Sequence, residues 1–137
     1  MTPLIQQSVR FPCSPRMLFE LYMDSAKHSA ATGQRARISR RAGGTFTAFA
    51  GMLEGRNLVV VPNRMVVQAW RSTSWKRAEA DSVLVLEFSK DAGGSRVDLV
   101  HINVPPYDHQ RVSQGWPKYY WKPWRAYLAA RNRTGET

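Results

Sequence analysis

An α+β fold is predicted for this chain: a curved antiparallel sheet of about seven strands wrapped on a long C-terminal helix, with two short helices after the first strand. Three features of the sequence predict it. From about residue 35 to residue 102 apolar side chains recur at period two, interrupted by clusters of glycine, proline and asparagine. Residues 115–128 instead put Trp116, Tyr120, Trp124, Tyr127 and Leu128 on one face at helical spacing, with Lys118, Lys122 and Arg125 on another. Three of the five tryptophans and three of the five tyrosines fall in that stretch. A helix so aromatic must cover a large apolar surface, and the strands supply one.

The elements follow in order. Residues 4–11 alternate and stop at Pro12, as a strand does. Ser14-Pro15 reads as a helix cap with proline at the first helical position, followed by the apolar face of Met17, Leu18, Leu21 and Tyr22. Asp24-Ser25 caps a second short helix that runs to about Ala31 and closes at Gly33. Six strands are expected at 35–40, 44–50, 53–61, 64–72, 81–89 and 95–102. Gly43-Gly44, Gly51, Pro62-Asn63, the polar 72–80 stretch and Asp91-Ala92-Gly93-Gly94 separate them. Pro105-Pro106 ends the sheet, and the long helix follows. Pro123 lacks an N–H and crowds the Tyr119 carbonyl, so a bend rather than a stop is expected there. Short connections make sequential strands antiparallel neighbours, and the helix laid across the concave face leaves room for a cavity.

Composition narrows the function classes. The 137 residues make one domain, with a core from about 4 to 131. No apolar run is long enough for a membrane span, and Gln6, Gln7, Ser8 and Arg10 break up any leader-like segment. The single cysteine, Cys13, excludes an internal disulfide and fits the cytoplasm. Twenty basic residues against ten acidic give a net charge of +10. They are scattered, apart from 35–41 and the Lys118, Lys122, Arg125 set, and carry no RNA-recognition or zinc-finger pattern. Specific nucleic-acid binding is therefore not expected.

Several segments together resemble a known family. They are Gly43-Gly44-Thr45-Phe46, the run from Pro62-Asn63-Arg64 through Ala69-Trp70-Arg71, Val104-Pro105, and Gly115-Trp116-Pro117 with Tyr120-Trp121-Lys122-Pro123-Trp124 and Tyr127-Leu128. In that spacing, from about Val9 to Ala130, the chain resembles the Hsp90-ATPase-activator C-terminal-like family of the START-like (SRPBCC, birch-pollen-allergen-like) superfamily. The resemblance implies the helix-grip fold. It also implies a choice of roles, since the family includes a co-chaperone domain and the superfamily includes lipid carriers, cyclases and hormone receptors.

Read unaided, the residues offer little catalytic chemistry. Cys13 sits at a strand-to-helix junction with no base nearby in sequence. His28, His101 and His109 lack metal-ligand spacing, so neither metal nor cofactor is assigned. Polar residues on inward strand faces are better candidates. His101 alternates in phase with Val97 and Leu99, and could meet a ligand carbonyl, act as a base, or bond a buried carbonyl. Gln68 shares a face with Val66 and Trp70, and either orients a ligand or is paired in the core. Glu54 reads as a surface carboxylate, with a cavity acid as its alternative. Phe46 forms a wall beside the small Ala48 and Ala50.

The expectation is a domain that binds a small hydrophobic or aromatic molecule in an internal cavity between sheet and helix. Phe46, Ala48, Gln68, Trp70, Leu99, His101, Trp116 and Tyr120 are its expected ligand-binding residues, and no residue is assigned as catalytic. A chaperone-cofactor or stress-related role, with a chaperone as protein partner, is the alternative implied by the resemblance. A cyclase- or hydrolase-like enzyme using His101 is a further one. Whether the chain forms a homodimer is left open.

Overall fold

The computed structural model describes residues 3–133 of the chain. It begins with β1 (Ile5–Phe11), α1 (Pro15–Met23) and α2 (Ser25–Thr32). Six strands follow: β2 (Arg37–Ile38), β3 (Thr45–Ala48), β4 (Leu53–Val61), β5 (Met65–Ser72), β6 (Ser82–Asp91) and β7 (Gly94–Ile102). A short 3-10 turn at Pro106–Asp108 leads to α3 (His109–Trp116), a π-helical segment (Pro117–Trp121) and α4 (Lys122–Arg133). No helix among the described residues is long and apolar enough to cross a membrane.

The strands form one antiparallel sheet in the order β1-β7-β6-β5-β4-β3-β2. Consecutive strands from β2 to β7 are antiparallel neighbours joined by turns and loops, and β1 completes the far edge by pairing with β7. This is the helix-grip α+β architecture. The helices start and stop where local chemistry requires. The Ser14 hydroxyl accepts the Met17 N–H at 3.1 Å, the Asp24 carboxylate accepts the Lys27 N–H at 2.9 Å, and Gly33 ends α2 at φ 78°.

Two features of β4 shape the sheet. Leu58 is an extra residue between the pairs Asn57–Gln68 and Val59–Val67, and such a bulge increases local twist. At Gly55 a Cβ would lie 1.9 Å from the Ala69 carbonyl oxygen and 2.6 Å from the Phe46 ring, so β4 can be this close to both only with glycine there. The curved sheet then holds its inward residues against the C-terminal helix. Val66, Leu84, Leu86, Val97 and Leu99 meet Trp116, Tyr120, Trp124 and Leu128 in a single core, with α1 adding Leu18, Phe19, Leu21 and Tyr22.

Two expectations need correction. The strands expected at 35–40 and 44–50 shrink to β2 and β3, because Phe49 and Ala50 adopt positive φ values of 52° and 56° and turn the chain. Ala50 is consequently exposed and is not an inward wall residue. In the C-terminal helix, the disturbance expected at Pro123 lies in the residues ahead of it. Pro117 and Lys122 both have helical dihedrals, so the helix runs on, but the Lys122 N–H bonds the Pro117 carbonyl five residues back. Pro123 cannot donate to that turn, and a wider turn absorbs the missing bond. The extra residue brings Trp121 inward beside Tyr120, and only 3% of its surface is exposed.

Candidate functional site

A cleft of about 530 Å³, open to solvent on one side, lies at the end of the sheet under the C-terminal helix. The β3–β4 turn contributes Phe49 and Met52, and β4 contributes Leu53. β5 contributes Trp70 and Ser72, and the end of α2 and the residues after it contribute Thr32 and Gln34. The helical side runs from Asp108, Arg111 and Val112 through Gly115 and Trp116 to Lys118, Tyr119, Tyr120 and Pro123. Gly115 keeps that side open, since a Cβ there would meet only Tyr119 ring carbons, at 3.5 and 3.9 Å.

Three of the eight residues expected to bind a ligand, Trp70, Trp116 and Tyr120, border this cleft. Phe46, Ala48, Gln68, Leu99 and His101 do not; each is buried in the interior. The reason is the Trp116 indole, which occupies the space between sheet and helix. It stacks on Tyr120 at 4.7 Å and on Trp121 at 5.6 Å, and packs against Trp70 at 6.2 Å. Free volume is thereby displaced from the middle of the grip to its mouth. Phe49, Met52, Leu53, Val112, Gly115 and Tyr119, none of them expected, complete the wall. Only the turn glycine beside Phe49 signalled that part of the site in the sequence.

His101 is fully buried and both its nitrogens are occupied. The Trp116 Nε1–H donates to Nδ1 at 3.2 Å, which places the proton of the neutral ring on Nε2. Nε2–H then donates to the Ser82 hydroxyl at 2.8 Å, and Ser82 donates to the Trp70 carbonyl at 2.6 Å. Burial, with a smaller contribution from the charge of His109, lowers the His101 pKa to about 3. A neutral imidazole with its lone pair committed to an indole is a structural connector between helix and sheet.

A second buried chain starts on the cleft wall. The Tyr120 hydroxyl donates to His28 Nε2 at 3.1 Å, and His28 Nδ1–H donates to the Tyr22 carbonyl at 2.8 Å. The Tyr22 hydroxyl donates to Gln68 Oε1 at 2.6 Å, and Gln68 Nε2 donates to Asn57 Oδ1 at 2.9 Å. Asn57 in turn donates to the carbonyls of Ser39 and Arg41, at 2.7 and 3.0 Å. Gln68 is thus paired within the core. Burial lowers the His28 pKa to about 4, although the bond to the Tyr22 carbonyl opposes the shift, and burial raises both tyrosine hydroxyls.

The remaining candidates lie outside the cleft. Glu54 is exposed, and Cys13 is half-buried at 3.8 Å from the Ser95 hydroxyl, with burial pushing its thiol pKa up. At the open end Asp108 accepts from Trp75 Nε1 at 2.6 Å and from two nitrogens of Arg111. Burial opposes its ionisation, but these bonds and the Arg111 charge prevail and hold its pKa below the usual range. Asp108 thereby ties the 72–81 loop to the start of the helix.

A family model described as Activator of Hsp90 ATPase homolog 1-like protein matches residues 12–129. The activator of 90 kDa heat shock protein ATPase homolog of Dictyostelium discoideum is 25% identical over 118 residues, which are 85% of this chain and 30% of that protein. The human homolog 1 is 26% identical over 112 residues, 82% of this chain and 33% of that protein. The chain thus spans about a third of the length of these relatives. A crystal structure of an Hsp90 activator from Plasmodium falciparum superposes with a TM-score of 0.84 at 20% identity, covering 93% of this chain and 97% of that one.

Proposed function

The chain belongs to the Activator of Hsp90 ATPase homolog 1-like family, and from that premise we propose that it binds one small apolar or aromatic molecule in the cleft between the β3–β4 turn and the C-terminal helix. The observation that carries this reading is the convergence of two backbone irregularities on one apolar cleft. Phe49 sits at φ 52°, a left-handed conformation that costs a bulky residue on the order of 1–3 kcal/mol. The π-helical segment supplies Lys118, Tyr119 and Tyr120, and such segments are frequent at functional sites. Each irregularity aims aromatic rings at the same space; Phe49 meets Tyr119 at 5.8 Å and Tyr120 at 5.4 Å.

The size suits the role, because pockets for small molecules span about 300–1,000 Å³. Burying a ligand's apolar surface there would supply about 25 cal/mol per Å², and the rings of Phe49, Trp70 and Tyr120 would select flat or elongated shapes. The test is titration with phenylnaphthylamine, a neutral apolar fluorophore. One site is expected, with quenching of tryptophan emission from Trp70 and Trp116. Gly115→Leu, which puts a branched side chain on the cleft wall, should weaken binding at least about tenfold while the protein remains folded. Unchanged binding in a folded Gly115→Leu protein would sink this reading.

A second reading, a chaperone-cofactor role, draws support from the names of the relatives and from the outer face of the sheet. There Val100, Val85, Val67 and Val59 stand in one row across four strands, paired in register. Val59, Val61 and Ile102 are 42%, 37% and 42% exposed, which gives an apolar stripe that a protein surface could cover. On this reading the protein would stimulate the ATPase of an Hsp90-type chaperone, and Val85→Lys would abolish the effect without emptying the cleft. Equal stimulation by Val85→Lys would exclude that surface.

A further inference from the structure

The cleft has a charge as well as a shape, and the charge narrows what would occupy it. Three charged residues border it: Asp108, Arg111 and Lys118. Two of them neutralise each other, because the Arg111 Nε and Nη2 atoms both donate to the Asp108 carboxylate. Lys118 is left. Its ammonium lies 5.2 Å from the centroid of the exposed Tyr119 ring, and no carboxylate of the described residues forms an ion pair with it. Much of the remaining wall is apolar: Phe49, Met52, Leu53, Trp70, Val112 and Trp116.

Two further donors on the wall lack partners. The exposed side-chain amide of Gln34 makes no hydrogen bond to the described residues, although its backbone N–H and carbonyl both bond the Thr32 hydroxyl. The Nε1–H of Trp70, a residue only 4% exposed, is a buried polar atom without an acceptor. Buried donors are nearly always paired, but the Trp124 Nε1–H, away from the cleft, is unpaired as well, so the Trp70 indole does not by itself mark an acceptor site. The unpaired Lys118 ammonium, with the exposed Gln34 amide on the same cleft wall, favours a ligand with acceptor oxygens and negative charge.

We propose that the cleft selects an apolar molecule carrying a single anionic head group, such as an aromatic or aliphatic carboxylate, with Lys118 as the head-group partner. This rests on the cleft being a binding site. The net charge of +10 adds a long-range term of the same sign, which would favour any anion and be screened by salt. A control must therefore separate Lys118 from the general field. Lys122 serves, since it lies one turn further along the same helix and outside the cleft wall.

The experiment uses two fluorophores with one ring skeleton, the anionic anilinonaphthalene sulfonate and the neutral phenylnaphthylamine, titrated into the whole protein near physiological ionic strength. The anion should bind more tightly than its neutral counterpart by about two- to fivefold, the order expected for one exposed ion pair. Lys118→Gln should bring the ratio close to one, whereas Lys122→Gln should preserve the preference. No preference, or equal losses in the two variants, with the neutral probe still bound, would overturn the anionic head group and leave the apolar cleft standing. If neither probe bound, or if Gly115→Leu altered neither, the cleft reading would fall and this proposal with it.

Discussion

His28 and His101 join the C-terminal helix to the rest of the protein, His28 through Tyr120 and His101 through Trp116, and both are held neutral. Their pKa values fall from 6.5 to about 4 and about 3, chiefly through burial. Below pH 6.5 the unfolded chain therefore binds more protons than the folded one, and stability declines as pH falls through that range. Both contributions are complete above pH 6.5, and the loss extends to about pH 4 for His28 and about pH 3 for His101. Each histidine accounts for an effect on the order of a few kcal/mol. Urea unfolding at neutral pH and near pH 5, where most carboxylates are still ionised, should show a clear drop in midpoint; an unchanged midpoint would contradict the buried neutral pair. Strand parity in the sequence pointed both Gln68 and His101 inward, as polar residues needing partners. It could not name those partners, because Tyr22 and Ser82 approach from elements 46 and 19 residues away.

The π-helical segment is the element whose sequence reading and structure diverge most. Regular helical spacing selects Trp116, Tyr120, Trp124, Tyr127 and Leu128 for the inward face; Tyr127 is partly buried and the other four are fully so. It leaves Trp121 off that face, yet Trp121 is buried too, stacked on Trp116 and donating from Nε1 to Gln7 Oε1 at 2.7 Å. Pro123 was visible as a disturbance, but the form of the disturbance depends on which turn widens, and packing against β1, where Trp121 bonds Gln7 and meets Phe11, decides that. Trp121→Ala should cost about 3–5 kcal/mol in denaturant unfolding, as loss of a large core aromatic does. A surface position would change stability by about 0.5 kcal/mol or less, and that result would refute the inward placement. In the β3–β4 turn the sequence showed Gly51 but not the left-handed Phe49, which no propensity favours.

At the scale of the molecule, element order and sheet topology were legible because period-two strands, short turns and one aromatic helix leave few ways to pack. The position of the cleft was not. A sequence shows which residues face inward, but whether they enclose space depends on how the large side chains interlock, and here the Trp116 indole closes the middle and leaves the mouth open. The central claim is that this mouth is where a small molecule binds. Amide and indole N–H chemical shifts, followed while phenylnaphthylamine is titrated into isotopically labelled protein, test it most directly. The predicted shifts fall on the Trp70 indole and on the amides of Phe49, Met52, Gly115, Tyr119 and Tyr120, which lie on the two sides of the cleft. Shifts confined to Val59, Val67, Val85 and Val100 on the outer sheet face, with the Trp70 indole unmoved, would contradict it.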